Sequence, residues 1–434
     1  MSAQQEQPTK EYALGSGYKT YIFILLCLLY FFDVVDRYIV SSLFPFMQKE
    51  WALTDMQSGL LVSTVYWAIV VLTLPISIIV DRWSRRKTIG IMAVVWSISS
   101  IACAFAGNFA QLFTARTFLG AGEAGYASGG TAMITGMYPE HKRARMIGLW
   151  NASVPLATAI GIAVGGVIAV NLGWRAAFGL TALPGLVVAI MFFFIKDYKT
   201  VDLVKTVEDA KDKTAKMKMK AGDAAREFIR NRTLLFTYFG FAGVQFVQAS
   251  LITWLATYFH RTGGMPIDQA GLKTGSILLL AIIGAPVGGY LADLWIKKKR
   301  NARLVFPSIA LLVTAVLIFL AFSVFDGVPQ YAALLLMGLV FTASAPAAIV
   351  VTQEVIHPGL RAISYAVAII VMNLLGASLG PIVIGAISDA TNIQTAMQVL
   401  PAFLVVSAVL FFTGSFFFNR DYDRVEKIAL EMES

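Results

Sequence analysis

Five ionisable residues stand where the chain is otherwise apolar. Asp33, Asp36 and Arg37 lie in one apolar run, and Arg116 and Glu123 lie in another. A charge at the centre of a bilayer costs about 2.5–3.5 kcal/mol on insertion scales, so such groups persist by facing a wet cavity or one another. Carboxylates beside guanidinium groups offer two kinds of chemistry. An acid can load and release a proton as an arginine approaches or withdraws, because burial favours its neutral form and a nearby cation its charged form. An arginine can also hold the anionic group of an organic solute. The same residues could instead form a buried ion-pair network that fixes one helix against another.

Helical spacing gives these residues shared faces. Asp33 and Arg37 are four apart and stack on one side of their helix, and Arg116 and Glu123 are seven apart, two turns along one side of theirs. The first helix runs outward and the fourth inward, so the two sets overlap in depth. Pairing among Asp36, Arg37, Arg116 and Glu123 across a cavity is expected. Glu123 is the foremost candidate proton carrier, Asp36 the second, and Asp33 a third unless Arg37 neutralises it on its own helix.

The elements that must position them are membrane helices. The 434-residue chain is 57% hydrophobic and 14% charged, with mean hydropathy +0.70, where soluble proteins carry about 25% charged residues. Lipid is therefore the solvent for most of the chain, and only helices or closed barrels satisfy their backbones there. The apolar runs are too long for barrel strands of about 10 residues. Twelve helices are predicted, at 20–44, 56–80, 88–107, 110–137, 144–171, 174–196, 233–259, 269–295, 302–325, 329–356, 361–388 and 393–418. They form two six-helix bundles, 20–196 and 233–418, flanked by tails at 1–19 and 419–434 and joined by a charged linker at 197–232. Within that linker, Ala221 to Arg230 could form an amphipathic surface helix with Phe228 and Ile229 toward lipid, or be a solvated segment.

The net charge of +9 fits positive-inside topology. Basic residues follow the second, fourth, eighth and tenth helices, so even-numbered connections and both termini are expected to be cytoplasmic, in a plasma or bacterial inner membrane. The basic residues are scattered among short loops, so no nucleic-acid partner is expected. Cys27 and Cys103 fall inside apolar runs without metal-type spacing, no cofactor is expected, and residues 1–18 lack the order of a cleavable signal. Protons, membrane lipids and a small organic or lipid-like solute are the expected partners of a monomer.

One short pattern occurs twice, half a chain length apart. Ser77-Ile-Ile-Val-Asp81-Arg82-Trp-Ser-Arg85-Arg86-Lys87 matches Gly289-Tyr-Leu-Ala-Asp293-Leu-Trp-Ile-Lys297-Lys298-Lys299. Tyr138-Pro139 before Arg143-Ala144 likewise matches His357-Pro358 before Arg361-Ala362. Duplicated halves in a membrane predict alternating access. An acid at a helix C-terminus opposes its own dipole and needs an outside partner. Asp81 is expected to face the start of the eleventh helix near Arg361, and Asp293 the start of the fifth near Arg145, as a latch. Arg85 and Arg86 belong to the same gate.

The second half lacks mid-span charge in its seventh, eighth and eleventh helices. It offers Gln245, Gln248 and Asn373 among aromatic residues such as Phe241 and Phe246. A cavity charged on one wall and aromatic on the other suits an amphipathic solute. Tyr126, Trp150 and Asn151 complete the expected substrate-binding set with Arg37 and Arg116. An intramembrane enzyme is disfavoured, because His141, His260 and His357 all fall near helix ends. No nucleotide-binding loop is visible, which argues against an ATP-driven pump.

These residues resemble the major facilitator superfamily over nearly the full chain. The two duplicated segments look like its loops after helices two and eight, although Ser77 and Ser84 stand where the family usually has Gly. Arg116-Thr-Phe-Leu-Gly120-Ala-Gly122-Glu123-Ala124 resembles its helix-four motif, and Gly173-Trp174-Arg175-Ala-Ala-Phe178 the start of helix six. Within the family, Asp36-Arg37, Gly-Glu123-Ala-Gly-Tyr126, Leu360-Arg361-Ala362, Gly380-Pro381 and Ser388-Asp389 are similar to the Spinster-like branch. That resemblance implies proton-coupled movement of amphipathic lipids or related solutes, with Asp36, Arg37, Arg116 and Glu123 carrying the coupling. The anion:cation symporters share the Asp-Arg and Gly-x-Gly-Glu features, and would imply uptake of a sugar acid or aromatic carboxylate.

Overall fold

The computed structural model describes residues 16–82, 84–195, 227–357 and 360–425. Those residues form twelve helical columns. They are α1 (Ser16–Tyr38, continued by Val40–Trp51), α2 (Asp55–Arg82), α3 (Arg85–Ala104), α4 (Phe109–Glu123 and Tyr126–Met137), α5 (Glu140–Asn151 and Ser153–Leu172) and α6 (Trp174–Phe193). After the undescribed segment come α7 (Arg232–Thr262), α8 (Ile267–Ile296), α9 (Ala302–Ser323), α10 (Gly327–Ala343 and Ala345–Glu354), α11 (Arg361–Val371, a π-helical turn Met372–Ala377, then Leu379–Ala390) and α12 (Ile393–Gln398 and Leu400–Asp423). This is an all-helical membrane fold, and the columns follow the predicted spans within several residues.

Ten of the columns are long and apolar enough to cross a membrane. The two outside that set are α1 and α4, the two that carry charges in mid-span. Composition alone is blurred where the chemistry sits. α4 also breaks at Ala124 and Gly125, directly after Glu123.

Packing partners divide along the chain. In the first six columns α3 packs against α4 and α6, α2 against α4, and α1 against α5. In the last six, α12 packs against α7 and α9, and α8 against α10. The two sets meet chiefly along α5 with α8 and α2 with α11. Of the expected linker only its last residues are described. Residues 227–230 are helical, Ile229 is exposed, and Phe228 packs against the core instead of facing outward with it.

Arg86, Lys142 and Arg361 in the first turns of α3, α5 and α11, and Lys298 in the turn after α8, mark the junctions of successive columns at one end of the molecule, called here the basic end. The seam between α5 and α8 is tight only toward the opposite end. A Cβ on Gly166 would lie 2.9 Å from the carbonyl oxygen of Ile267, and one on Gly271 or Gly275 would lie 2.8 Å from that of Ile162 or Ala159. These glycines let two backbones touch, which is how membrane helices associate when apolar burial gives little drive. Toward the basic end the contact is lost: a Cβ on Gly148 would meet nothing within 4 Å.

Gly275→Val would force α8 away from Ala159. We expect a loss of about 1–3 kcal/mol, as overpacked cores show, read as a lower thermal midpoint of the purified protein. Gly148→Val should leave that midpoint unchanged.

Candidate functional site

The mid-span charges gather between α1 and α4. Arg37 Nη2 lies 2.6 Å from Glu123 Oε2 and 3.4 Å from Asp33 Oδ2. The Glu123 side chain is fully buried, while Arg37 keeps 17% of its side chain exposed. Asp33 and Arg37 stack one turn apart as their spacing requires, so a single guanidinium serves one acid on each helix.

Arg116 does a different job. It is fully buried, its Nε donates to the carbonyl oxygen of Leu61 at 2.5 Å, and its Nη2 donates to that of Arg37 at 2.9 Å. It thus fastens α4 to the backbones of α2 and α1, and fixes the peptide that carries Arg37. Asp36 is also fully buried, and the groups beside its carboxylate are the hydroxyls of Thr181 and Ser100, not a guanidinium. A buried carboxylate answered by hydroxyls and not by a cation is costly, which sets Asp36 apart from the ion-paired acids.

The pairing expected across a cavity is therefore a direct contact inside the first six columns. Arg116 binds carbonyl groups and not the acids, and none of Asp36, Arg116 and Glu123 lines the central cavity described below. The cause is the close approach of α4 to its neighbours. A Cβ on Gly122 would fall 2.6 Å from the Trp96 nitrogen, so α4 sits too deep in the bundle for its acid to reach the central space.

That space begins one residue further along α1. Tyr38 lines a cavity of about 430 Å³ between the two sets of columns, and its hydroxyl is 2.7 Å from that of Tyr66. Asn151, Thr158, Gln245, Gln248 and Thr342 supply further uncharged polar groups, among apolar residues such as Phe241, Ile252, Phe341 and Ile349. Gly148 and Asn151 on α5, Ala285 and Pro286 on α8, and Ala345 and Ile349 on α10 place the cavity toward the basic end, where the α5–α8 seam has parted.

Of the eight expected binding residues, Asn151, Gln245 and Gln248 line this cavity; Arg37 and Arg116 stand in the charged cluster, and the other three lie elsewhere. Tyr126 is buried, with its hydroxyl donating to the carbonyl oxygen of Leu26 at 2.7 Å. Trp150 is buried and stacks on Tyr30 with ring centroids 4.4 Å apart. Both are core residues of the first six columns. Asn373 stands in the π-helical turn of α11, where its carbonyl accepts the Ser378 N–H at 2.9 Å, and it does not line the cavity. Tyr38, Thr158 and Thr342 line it without having been singled out, because a tyrosine or threonine in an apolar run has no signal of its own.

The opposite end is closed by a polar latch that sequence reading missed. Arg261, in the last turn of α7, donates to both oxygens of Asp55 at the start of α2, at 2.7 and 2.6 Å, and to Gln48 at 2.8 Å. Ser388 on α11 donates to Asp55 at 2.6 Å. Asp389 accepts the backbone N–H groups of Asp55 and Met56 at 2.8 and 2.9 Å, capping α2 from the other set of columns. Beneath it Trp254 donates to the carbonyl oxygen of Pro381 at 3.0 Å and packs on Phe44. Asp55 and Arg261 fall at helix ends, where charge is ordinary, so only the fold reveals them as partners.

At the basic end the Asp293 half of the expected gate is not engaged among the described residues. Asp293 is exposed and makes no ion pair among the described residues, and Arg145 and Arg361 are exposed. Arg86 reaches the carbonyl oxygen of Ile195 at 2.6 Å. The side chains of Asp81 and Arg85 lie outside the described residues. The molecule is thus sealed at one end and open at the basic end.

Twelve columns around such a central cavity define a class of membrane protein, and comparison with known proteins gives its family. Residues 26–381 match the family model of the Major Facilitator Superfamily, and the chain belongs to that superfamily. It is 28% identical over 285 residues to the Hexuronate transporter of Bacillus subtilis (strain 168), covering 65% of this chain and 66% of that protein. It is 25% identical over 378 residues to Protein spinster of Drosophila melanogaster, covering 84% of this chain and 61% of that protein. These matches span about two thirds of each relative's length. The Probable sphingolipid transporter spinster homolog 1 of Arabidopsis thaliana is 24% identical over 494 residues, covering 99% and 98%. Among solved structures, a bacterial homolog of the human lysosomal transporter Spinster in an inward-facing, unoccupied conformation superposes with a TM-score of 0.81 at 21% identity, covering 94% of this chain and 99% of that one.

Arg261→Ala leaves the Asp55 carboxylate without its cation, held by Ser388 and by the Gln48 amide, which donates to it at 2.7 Å. Labels placed at the exposed Met56 and Val328, both at the latched end, should report a longer and broader distance distribution by pulsed electron resonance than in the unsubstituted protein.

Proposed function

We propose that this protein is a proton-coupled secondary active transporter that moves an amphipathic or anionic organic solute by rocker-switch alternating access. The observation that carries this reading is the adjacency of the Arg37–Glu123 ion pair to Tyr38 on the cavity wall. A proton arriving at Glu123 removes its charge and releases Arg37. The freed guanidinium then meets the anionic group of the solute, while Arg116 keeps the Arg37 peptide in place. Asp36 is the second acid of the relay, and Asp33 takes up the Arg37 contact when Glu123 is neutral. Asn151, Gln245 and Gln248 supply hydrogen bonds to the solute's polar part.

Switching requires exchanging one closed end for the other. The Asp55–Arg261 latch opens, and Asp293 and Asp81 meet the starts of α5 and α11 near Arg145 and Arg361. The basic loops support a cytoplasmic location for that end and both termini, in a plasma or bacterial inner membrane, with the protein working as a monomer. Apolar walls on most of the cavity support a lipid-like solute. The 28% identity to a hexuronate transporter favours a second reading, proton-driven uptake of an organic acid such as a sugar acid.

Reconstituted protein tests both. With Asp36→Asn and Glu123→Gln together, uptake driven by a pH gradient should be abolished while solute exchange without a gradient persists. Undiminished gradient-driven uptake in that variant would remove the proton-coupling reading. Competition between a lysolipid and a hexuronate for the unsubstituted protein separates the two solute classes.

A further inference from the structure

At the basic end, away from the cavity, four arginines surround one surface pocket of about 480 Å³: Arg230, Arg232, Arg420 and Arg424. Two come from the entry into α7 and two from the last turn of α12 and its cap. The local acids do not balance them. Glu227 stands 3.8 Å from Arg424. Asp421 is buried and largely committed to α7, accepting the N–H and hydroxyl of Thr233 at 3.1 and 2.7 Å besides its contact with Arg420 at 3.2 Å. Arg230 and Arg232 have no carboxylate partner among the described residues. They also sit at a helix N-terminus, whose dipole repels cations and attracts anions.

The pocket is held in shape. The Phe417 ring lies under two of the guanidiniums, 5.3 Å from Arg232 and 5.7 Å from Arg420, and stacks on Phe236 at 5.9 Å. With a carboxylate beside only two of the four guanidiniums, the hollow keeps net positive charge for an anion to answer. Below them the surface turns apolar. Phe412 and Phe416 precede Arg420 by two turns and one turn on the same face and are exposed, as are Phe239 on α7 and Ile229 beside Arg230. A charged hollow at the rim of an apolar stripe matches a headgroup with acyl chains running beneath it, a geometry a free anion does not need.

We propose that this pocket binds the phosphate headgroup of an anionic phospholipid, its chains lying along Phe412, Phe416 and Phe239. None of the four arginines lines the central cavity, so the site stands independently of the transport reading.

The test uses the full chain in a neutral detergent, titrated with phosphatidylglycerol, phosphatidylcholine or inorganic phosphate, with retained lipid read by native mass spectrometry and the thermal midpoint read in parallel. Phosphatidylglycerol should be retained and should raise the midpoint, while the other two should do neither. The Arg232→Gln/Arg420→Gln pair should lower apparent affinity by about tenfold or more, each lost charge-assisted bond being large enough for that. The Arg230→Gln/Arg424→Gln pair, which leaves the Phe417 stack intact, should do the same and guards against a folding defect in the first. Lys142→Gln/Lys298→Gln removes as much charge elsewhere at this end and should change little. Equal loss in that control would reduce the effect to general surface charge, an equal midpoint rise with inorganic phosphate would make the site one for a soluble anion, and unchanged retention in both arginine pairs would overturn the proposal outright.

Discussion

A charge enclosed by a lipid-embedded bundle must be answered by the protein itself, and that constraint organises this molecule. Glu123 is answered by Arg37, and Asp33 shares the same guanidinium. Arg116 is answered by two backbone carbonyl groups on neighbouring helices. Each answer needs helices at contact distance, and glycine on α4 provides it. The charged cluster therefore belongs to one side of the molecule, and the central space comes next to it at Tyr38, the residue after Arg37.

The two ends of the molecule solve a different problem with different means. At the latched end, small residues bring α5 onto α8, and a bidentate arginine with two acids holds the remaining rim. At the basic end the same helices diverge, and exposed charges stand apart. An arrangement closed by short-range polar contacts at only one end leaves large surfaces free of commitment at the other, which suits two bundles that trade contacts.

Much of this was legible in the chain. Long apolar runs gave the helices, because lipid leaves a backbone few choices. The charged cluster was legible because mid-span charge is rare. What it contacts was not. Periodicity puts Arg116 and Glu123 on one face but says nothing of how deep α4 sits, and that depth turned Arg116 toward carbonyl groups and Tyr126 and Trp150 into core. The Asp55–Arg261 latch was hidden for the opposite reason: charges at helix ends are common, and their meeting depends on how two distant parts of the chain are docked.

The π-helical turn in α11 bears on how such docking can change. Met372–Ala377 accommodates one residue more than regular α-helix would. Gly376, within it, is pressed against α7 at Ala242 and Gln245, and Met372, at its edge, touches the cavity. Absorbing the surplus residue into ordinary helix would rotate everything on one side of the turn by about 100°. The half of α11 that reaches the latch through Ser388 could then swivel against the half beginning at Arg361 without either one unwinding.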